Sequence, residues 1–151
     1  MDTAIRLLIA AGLGGLVGIE RELRDQPAGF RTHILVSVGA CLFTLISAFG
    51  FQDFLGKPLT PATAVDVTRV ASQIVVGIGF IGGGTILRHG TSVHGLTTAA
   101  SLWVTAAIGT AVGLGFMAGA VTATVISVAS LALLRPFTKR VKRRGPSVPP
   151  D

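Results

Sequence analysis

Two groups of polar side chains stand out in this sequence. In the first, Glu20-Arg21-Glu22, Arg24 and Asp25 run directly into Pro27, Gly29, Arg31 and His33. Three acids and three arginines cancel there, so the stretch predicts a structured ion-pair network around a turn marked by Pro27 and Gly29, not a lipid-binding basic patch. The second group is Asp66, Arg69 and Gln73, whose spacing puts all three on one helical face. Thr60 and Pro61 just upstream read as the N-cap and first residue of that helix. Such a stripe lines a polar cleft or forms an interfacial ion pair. Gln73, a turn further into apolar sequence, favours the cleft.

Other motifs carry less. Gly77-Ile78-Gly79-Phe80-Ile81-Gly82 matches G-x-G-x-x-G, but it lies inside an apolar run and has Leu102 where a dinucleotide site needs an acid. No Walker A pattern occurs, and no serine or threonine nucleophile has a readable base beside it. The expectation is a protein that is not an enzyme and has no cofactor. His89 and His94, five apart, make a weak metal pair and read first as solvated loop histidines, and the lone Cys41, in an apolar run, reads as a small hydrophobe.

The elements that carry these residues are apolar. Half of the 151 residues are hydrophobic, only 13 % are charged, and the mean hydropathy is +0.70. A soluble domain carries about 25 % charged residues, so the deficit points to lipid as the main solvent. Uncharged runs cover Leu7–Ile19, Ile34–Gln52, Val70–Leu87 and Leu96–Leu134, with lengths of 13, 19, 18 and 39 residues. A bilayer core of about 30 Å takes about 20 helical residues. The longest run therefore divides near Gly113-Leu114-Gly115 into two spans, while the shortest must take in Arg6, Glu20 or both. Arg6 can snorkel; Glu20 lies either at membrane depth or at an interfacial end. Asp2 and the lack of a cleavage site identify the first run as a retained span, not a signal peptide. The predicted fold is all-α and polytopic, a bundle of five transmembrane helices at about 3–20, 34–52, 66–87, 96–113 and 116–134, followed by a basic cytoplasmic tail at 135–151.

Six of the thirteen Lys and Arg residues lie in that tail. With the tail and Arg21, Arg24, Arg31 and Arg88 inside, ten basic residues face the cytoplasm and three, Arg6, Lys57 and Arg69, face outward. The positive-inside rule then puts the N-terminus outside and the C-terminus in the cytoplasm. The clustered tail reads as a topology anchor or a lipid-binding scaffold, not a nucleic-acid domain. Twenty glycines include the pairs Gly14/Gly18, Gly79/Gly83 and Gly109/Gly113, whose spacing suits close helix packing within one bundle or in a homodimer.

Several of these segments, taken in order, resemble the MgtC/SapB family: Gly15 to Glu22, Ala28 to His33, Asp66 and Arg69 leading into Gln73 to Gly82, and Val93 to Trp103. The resemblance implies a bacterial inner-membrane protein of five helices. It also implies links to growth at low magnesium, to survival inside host macrophages and to restraint of the ATP synthase, a candidate membrane partner. Many members carry a C-terminal cytoplasmic regulatory domain; this sequence stops seventeen residues after Leu134 and is expected to be the short form without it. By the family pattern the functional positions are Glu20, Arg21, Arg31, His33, Asp66, Arg69, Gln73 and Trp103. The leading expectation is a modulator of magnesium, ion or energy homeostasis. Its rivals are a small Mg²⁺ or H⁺ transporter or channel and a lipid-bound scaffold.

Overall fold

The computed structural model describes residues 2–50 and 68–133, so Asp66 and the tail from Arg135 lie outside the described residues. The described chain is mostly helical: α1 (Thr3–Glu22), α2 (Phe30–Phe49), α3 (Arg69–Gly84), a hairpin of β1 (Leu87–His89) and β2 (Ser92–His94), then α4 (Leu96–Leu114) and α5 (Met117–Leu133). Helices α1, α2 and α4 are long and apolar enough to cross a membrane; α3 and α5 are apolar but shorter, at 16 and 17 residues.

Helix α2 begins at Phe30, four residues before its uncharged run opens at Ile34. The extra turn has a physical cause. The first N–H groups of a helix lack internal partners, and Glu22 Oε2 accepts a 2.8 Å hydrogen bond from Phe30 N. A carboxylate there also opposes the positive end of the helix dipole. Arg31 and His33, read as loop residues in the sequence, become helical as a result.

At its other end, α3 stops at Gly84, within the run Gly82-Gly83-Gly84, and the chain turns through the antiparallel hairpin. Leu87 pairs with His94, Arg88 with Val93 and His89 with Ser92. Gly95 connects the hairpin to α4 with φ +88°, in the left-handed region that glycine enters without steric cost.

The core forms where α1, α2 and α4 meet, with α3 packed on α2 and α4, and α5 on α1 and α4. One cluster joins Ala10, Val17, Cys41, Leu45, Ile108 and Val112; a second joins Ala40, Ile78, Leu102 and Ala106. Small residues set the helix separation. A Cβ on Gly14 would come within 2.6 Å of Ser37 Cβ, one on Gly18 within 2.7 Å of Phe30 Cα, and one on Gly113 within 2.7 Å of Thr44 Cβ. At Gly109 it would run into the Ser37 carbonyl. Gly79 and Gly83, with the same spacing, meet nothing within 4 Å among the described residues. Large apolar side chains face outward, Phe80 at 86 % and Leu8 at 72 % exposure among them. That is the pattern of a protein dissolved in lipid, where the hydrocarbon is as apolar as the side chain.

Candidate functional site

The polar residues of the bundle gather at one end, where the C-terminus of α1, the turn after it and the first turns of α2 and α4 converge. Glu20, Arg21 and His33 are buried together with Thr98 and Ser101. The turn that shapes this end folds back on α1: Arg24 N and Gln26 N both donate to the Arg21 carbonyl, at 3.2 and 3.1 Å.

Two guanidiniums, Arg21 at 3.9 Å and Arg24 one helical turn on, are paired with the Glu20 carboxylate. Arg21 also donates through Nη2 to Gln26 Oε1 at 2.9 Å and to Thr98 Oγ1 at 3.3 Å, tying α1 to the start of α4. A buried carboxylate is costly unless opposite charge and hydrogen bonds surround it, and the paired arginines supply the charge. His33, fully buried, has Nδ1 at 2.9 Å from the Gly29 carbonyl and Nε2 at 3.2 Å from Ser101 Oγ. Ser101 Oγ in turn donates to the Thr98 carbonyl at 2.8 Å.

Further along the bundle three buried threonines satisfy themselves locally. Thr44, Thr105 and Thr124 donate to the carbonyl four residues back, at 2.7, 2.8 and 2.8 Å. Such back-bonding hides a hydroxyl inside an apolar helix. Arg6, expected to snorkel, instead donates from the other end of α1 to the Gly113 carbonyl. That carbonyl belongs to the last turn of α4, where acceptors are left over and the dipole favours a cation.

Of the residues singled out in the sequence, Glu20, Arg21 and His33 come together. Arg31, Arg69 and Gln73 are exposed, and Trp103 is half exposed on α4. A groove of about 530 Å³ does run past Gln73, between α2 and α3. Its lining is otherwise apolar, including Leu35, Phe43, Ile74 and Ile81, and Arg69 is not part of it. The cleft at Gln73 is therefore a greasy one. Among the described residues no three His, Cys, Asp or Glu side chains are grouped as metal ligands would be. The His89 and His94 rings meet edge to face with centroids 6.3 Å apart, on the exposed hairpin.

Sequence reasoning placed Arg24 in the ion-pair network but missed Gln26, Thr98 and Ser101 as site members. Thr98, Ser101 and Thr105 carried a signal, since steps of three and four residues align them on one helical face.

Apolar helices whose charged side chains are buried together at one end define a helical membrane protein. The chain belongs to the MgtC family, whose model matches residues 7–140. It is 45 % identical to the protein MgtC of Brucella abortus over 95 % of this chain and 57 % of that one. It is 42 % identical to the protein MgtC of Salmonella typhimurium, over 92 % of this chain and 55 % of that one. A third relative, the Escherichia coli protein named "Putative magnesium transporter YhiD", is 40 % identical over 93 % of this chain and 64 % of its own length. The chain thus spans somewhat over half the length of these relatives. No solved structure matches it.

Proposed function

We propose that this chain is a non-enzymatic, five-span protein of the bacterial inner membrane that modulates magnesium, ion or energy homeostasis. It acts through a membrane partner, the ATP synthase being the one the family resemblance implies. Its N-terminus faces outward, and its buried charged cluster lies at the cytoplasmic end. The supporting observation is where the carboxylates lie. All four described acids, Asp2, Glu20, Glu22 and Asp25, lie in the last turn of α1 or beyond its ends. Glu20 is held by two arginines of its own chain. Magnesium takes six oxygen ligands in near-octahedral geometry and usually keeps some waters, a set that these dispersed and paired acids do not offer at mid-depth.

A second reading, a small transporter or channel for Mg²⁺ or H⁺, draws support from the name of the relative YhiD. Sealed proteoliposomes carrying internal Mg²⁺ and pH dyes separate the two. Under imposed gradients the modulator gives no flux above empty liposomes. Flux that is lost in Glu20→Gln or Asp66→Asn makes the protein a transporter and removes the modulator as its primary role.

A further inference from the structure

The hydrogen bonds around His33 can be counted proton by proton. The Gly29 carbonyl only accepts, so Nδ1, 2.9 Å away, carries a hydrogen. Ser101 has one hydroxyl proton and two acceptors in reach, the Thr98 carbonyl at 2.8 Å and His33 Nε2 at 3.2 Å. When that proton points to Nε2, the ring is neutral and satisfied. When it points to the Thr98 carbonyl, Ser101 Oγ offers its lone pairs to Nε2, and only an N–H there completes the bond. The ring is then an imidazolium with both nitrogens donating. Each arrangement satisfies the buried ring without moving a heavy atom. An imidazole placed only for packing needs just one of them.

We propose that His33 is an internal proton-binding site, with the Ser101 hydroxyl as the rotor that accommodates both protonation states. On uptake, the Nε2 lone pair takes a proton from the aqueous phase and Ser101 O–H turns from Nε2 to the Thr98 carbonyl. Release reverses both movements, and no covalent bond between heavy atoms changes. The aqueous end of the bundle is near, since Gly29 belongs to the turn that precedes α2.

The charged groups around the ring are known from each neighbouring element. Helix α1 brings Glu20 and Arg21, with Glu22 and Arg24 beyond them; the turn brings Asp25; α2 itself carries Arg31. Helix α4 faces the ring with hydroxyls alone, while the hairpin's Arg88, His89 and His94 are exposed. A proton on His33 therefore adds positive charge beside the Arg21 guanidinium that bonds Thr98. Uptake weakens that α1–α4 tie, and this gives the site a way to report proton concentration to the bundle. The proton chemistry is independent of whether the protein modulates a partner or conducts an ion.

The test uses the full chain in lipid vesicles with ¹⁵N-labelled histidine rings. His89→Gln and His94→Gln, both on the exposed hairpin, leave His33 as the sole histidine. Solid-state NMR then follows both ring nitrogens as pH is lowered through the range where imidazoles titrate. The expected result is an Nδ1 protonated throughout and an Nε2 that passes from bare to protonated with uptake of one proton. Ser101→Ala removes the rotor and changes the proton affinity by about threefold to tenfold, the worth of one hydrogen bond. Ser101→Thr keeps a hydroxyl and the original midpoint. An Nε2 that stays unprotonated at every pH at which the protein is folded overturns the site. A midpoint unmoved in folded Ser101→Ala overturns the rotor. If Ser101→Ala does not fold, the titration of the Ser101-containing protein still decides the site.

Discussion

Arg21 is the side chain on which the polar end of the bundle depends, because one guanidinium serves three neighbours. It faces the Glu20 carboxylate, donates to Gln26 in the turn and donates to Thr98 on α4. It is 5 % exposed, so water does not replace any partner that is lost. Arg21→Ala leaves Glu20 buried with only the partly exposed Arg24, and is expected to cost about 3 kcal/mol. Arg21→Lys keeps the charge but has no planar fork, and should recover only part of that loss. Unfolding of both variants in mixed micelles checks this; equal stability of Arg21→Lys and the parent chain would reduce Arg21 to a point charge. The ionic half of the cluster was legible in the sequence, because acids and arginines that cancel within a few residues announce their own pairing. The hydroxyl half was not. Thr98 and Ser101 lie 77 and 68 residues from the side chains they bond, and a hydroxyl in an apolar helix looks the same whether it bonds its own backbone or a distant imidazole.

At the level of elements, glycine spacing marked where helices can approach but not which of them do. Gly109 and Gly79 both belong to small-xxx-small pairs, yet among the described residues only the first has another helix against it. Gly109→Leu drives a side chain into the α2 backbone at Ser37 and is expected to destabilise the bundle by about 1–3 kcal/mol or more. Gly79→Ala meets open space and removes a poor helix former, so it should be neutral or stabilising by up to about 1 kcal/mol. Thermal unfolding in one detergent ranks the pair, and a Gly79→Ala loss as large as that of Gly109→Leu would mean that a second surface covers α3. Helix ends were legible to different degrees for the same reason. The uncharged run to Leu87 overstated the length of α3, but Gly82-Gly83-Gly84, three successive poor helix formers, marks in the sequence where the helix ends. The hairpin that follows is only three residues per strand, exposed along both strands and too short to show an alternating pattern.

For the whole molecule, the proposed orientation rests on a count of basic residues and requires the shortest helices to cross. At 1.5 Å per residue, the 16 residues of α3 reach about 24 Å, short of a hydrocarbon core of about 30 Å. In the proposed five-span arrangement, local thinning or flanking residues make up the difference. Among the described residues α1, α2 and α3 lie between Asp2 and the hairpin, and with these as the crossing candidates the two points face opposite sides of the membrane only if all three helices cross, or only one does. In the proposed topology the α4–α5 junction at Phe116 lies one crossing further on, back on the side of Asp2. Cys41 is fully buried and alone, so Cys41→Ala supplies a cysteine-free background without touching the surface. In intact spheroplasts an impermeant maleimide is expected to label Asp2→Cys and Phe116→Cys, and to reach Thr91→Cys only after permeabilisation. The reverse pattern would invert the orientation and place the Glu20–His33 cluster on the outer side. Labelling of Asp2→Cys and Thr91→Cys from the same side would show that one of the first three helices does not cross, and the length argument makes α3 the one to examine.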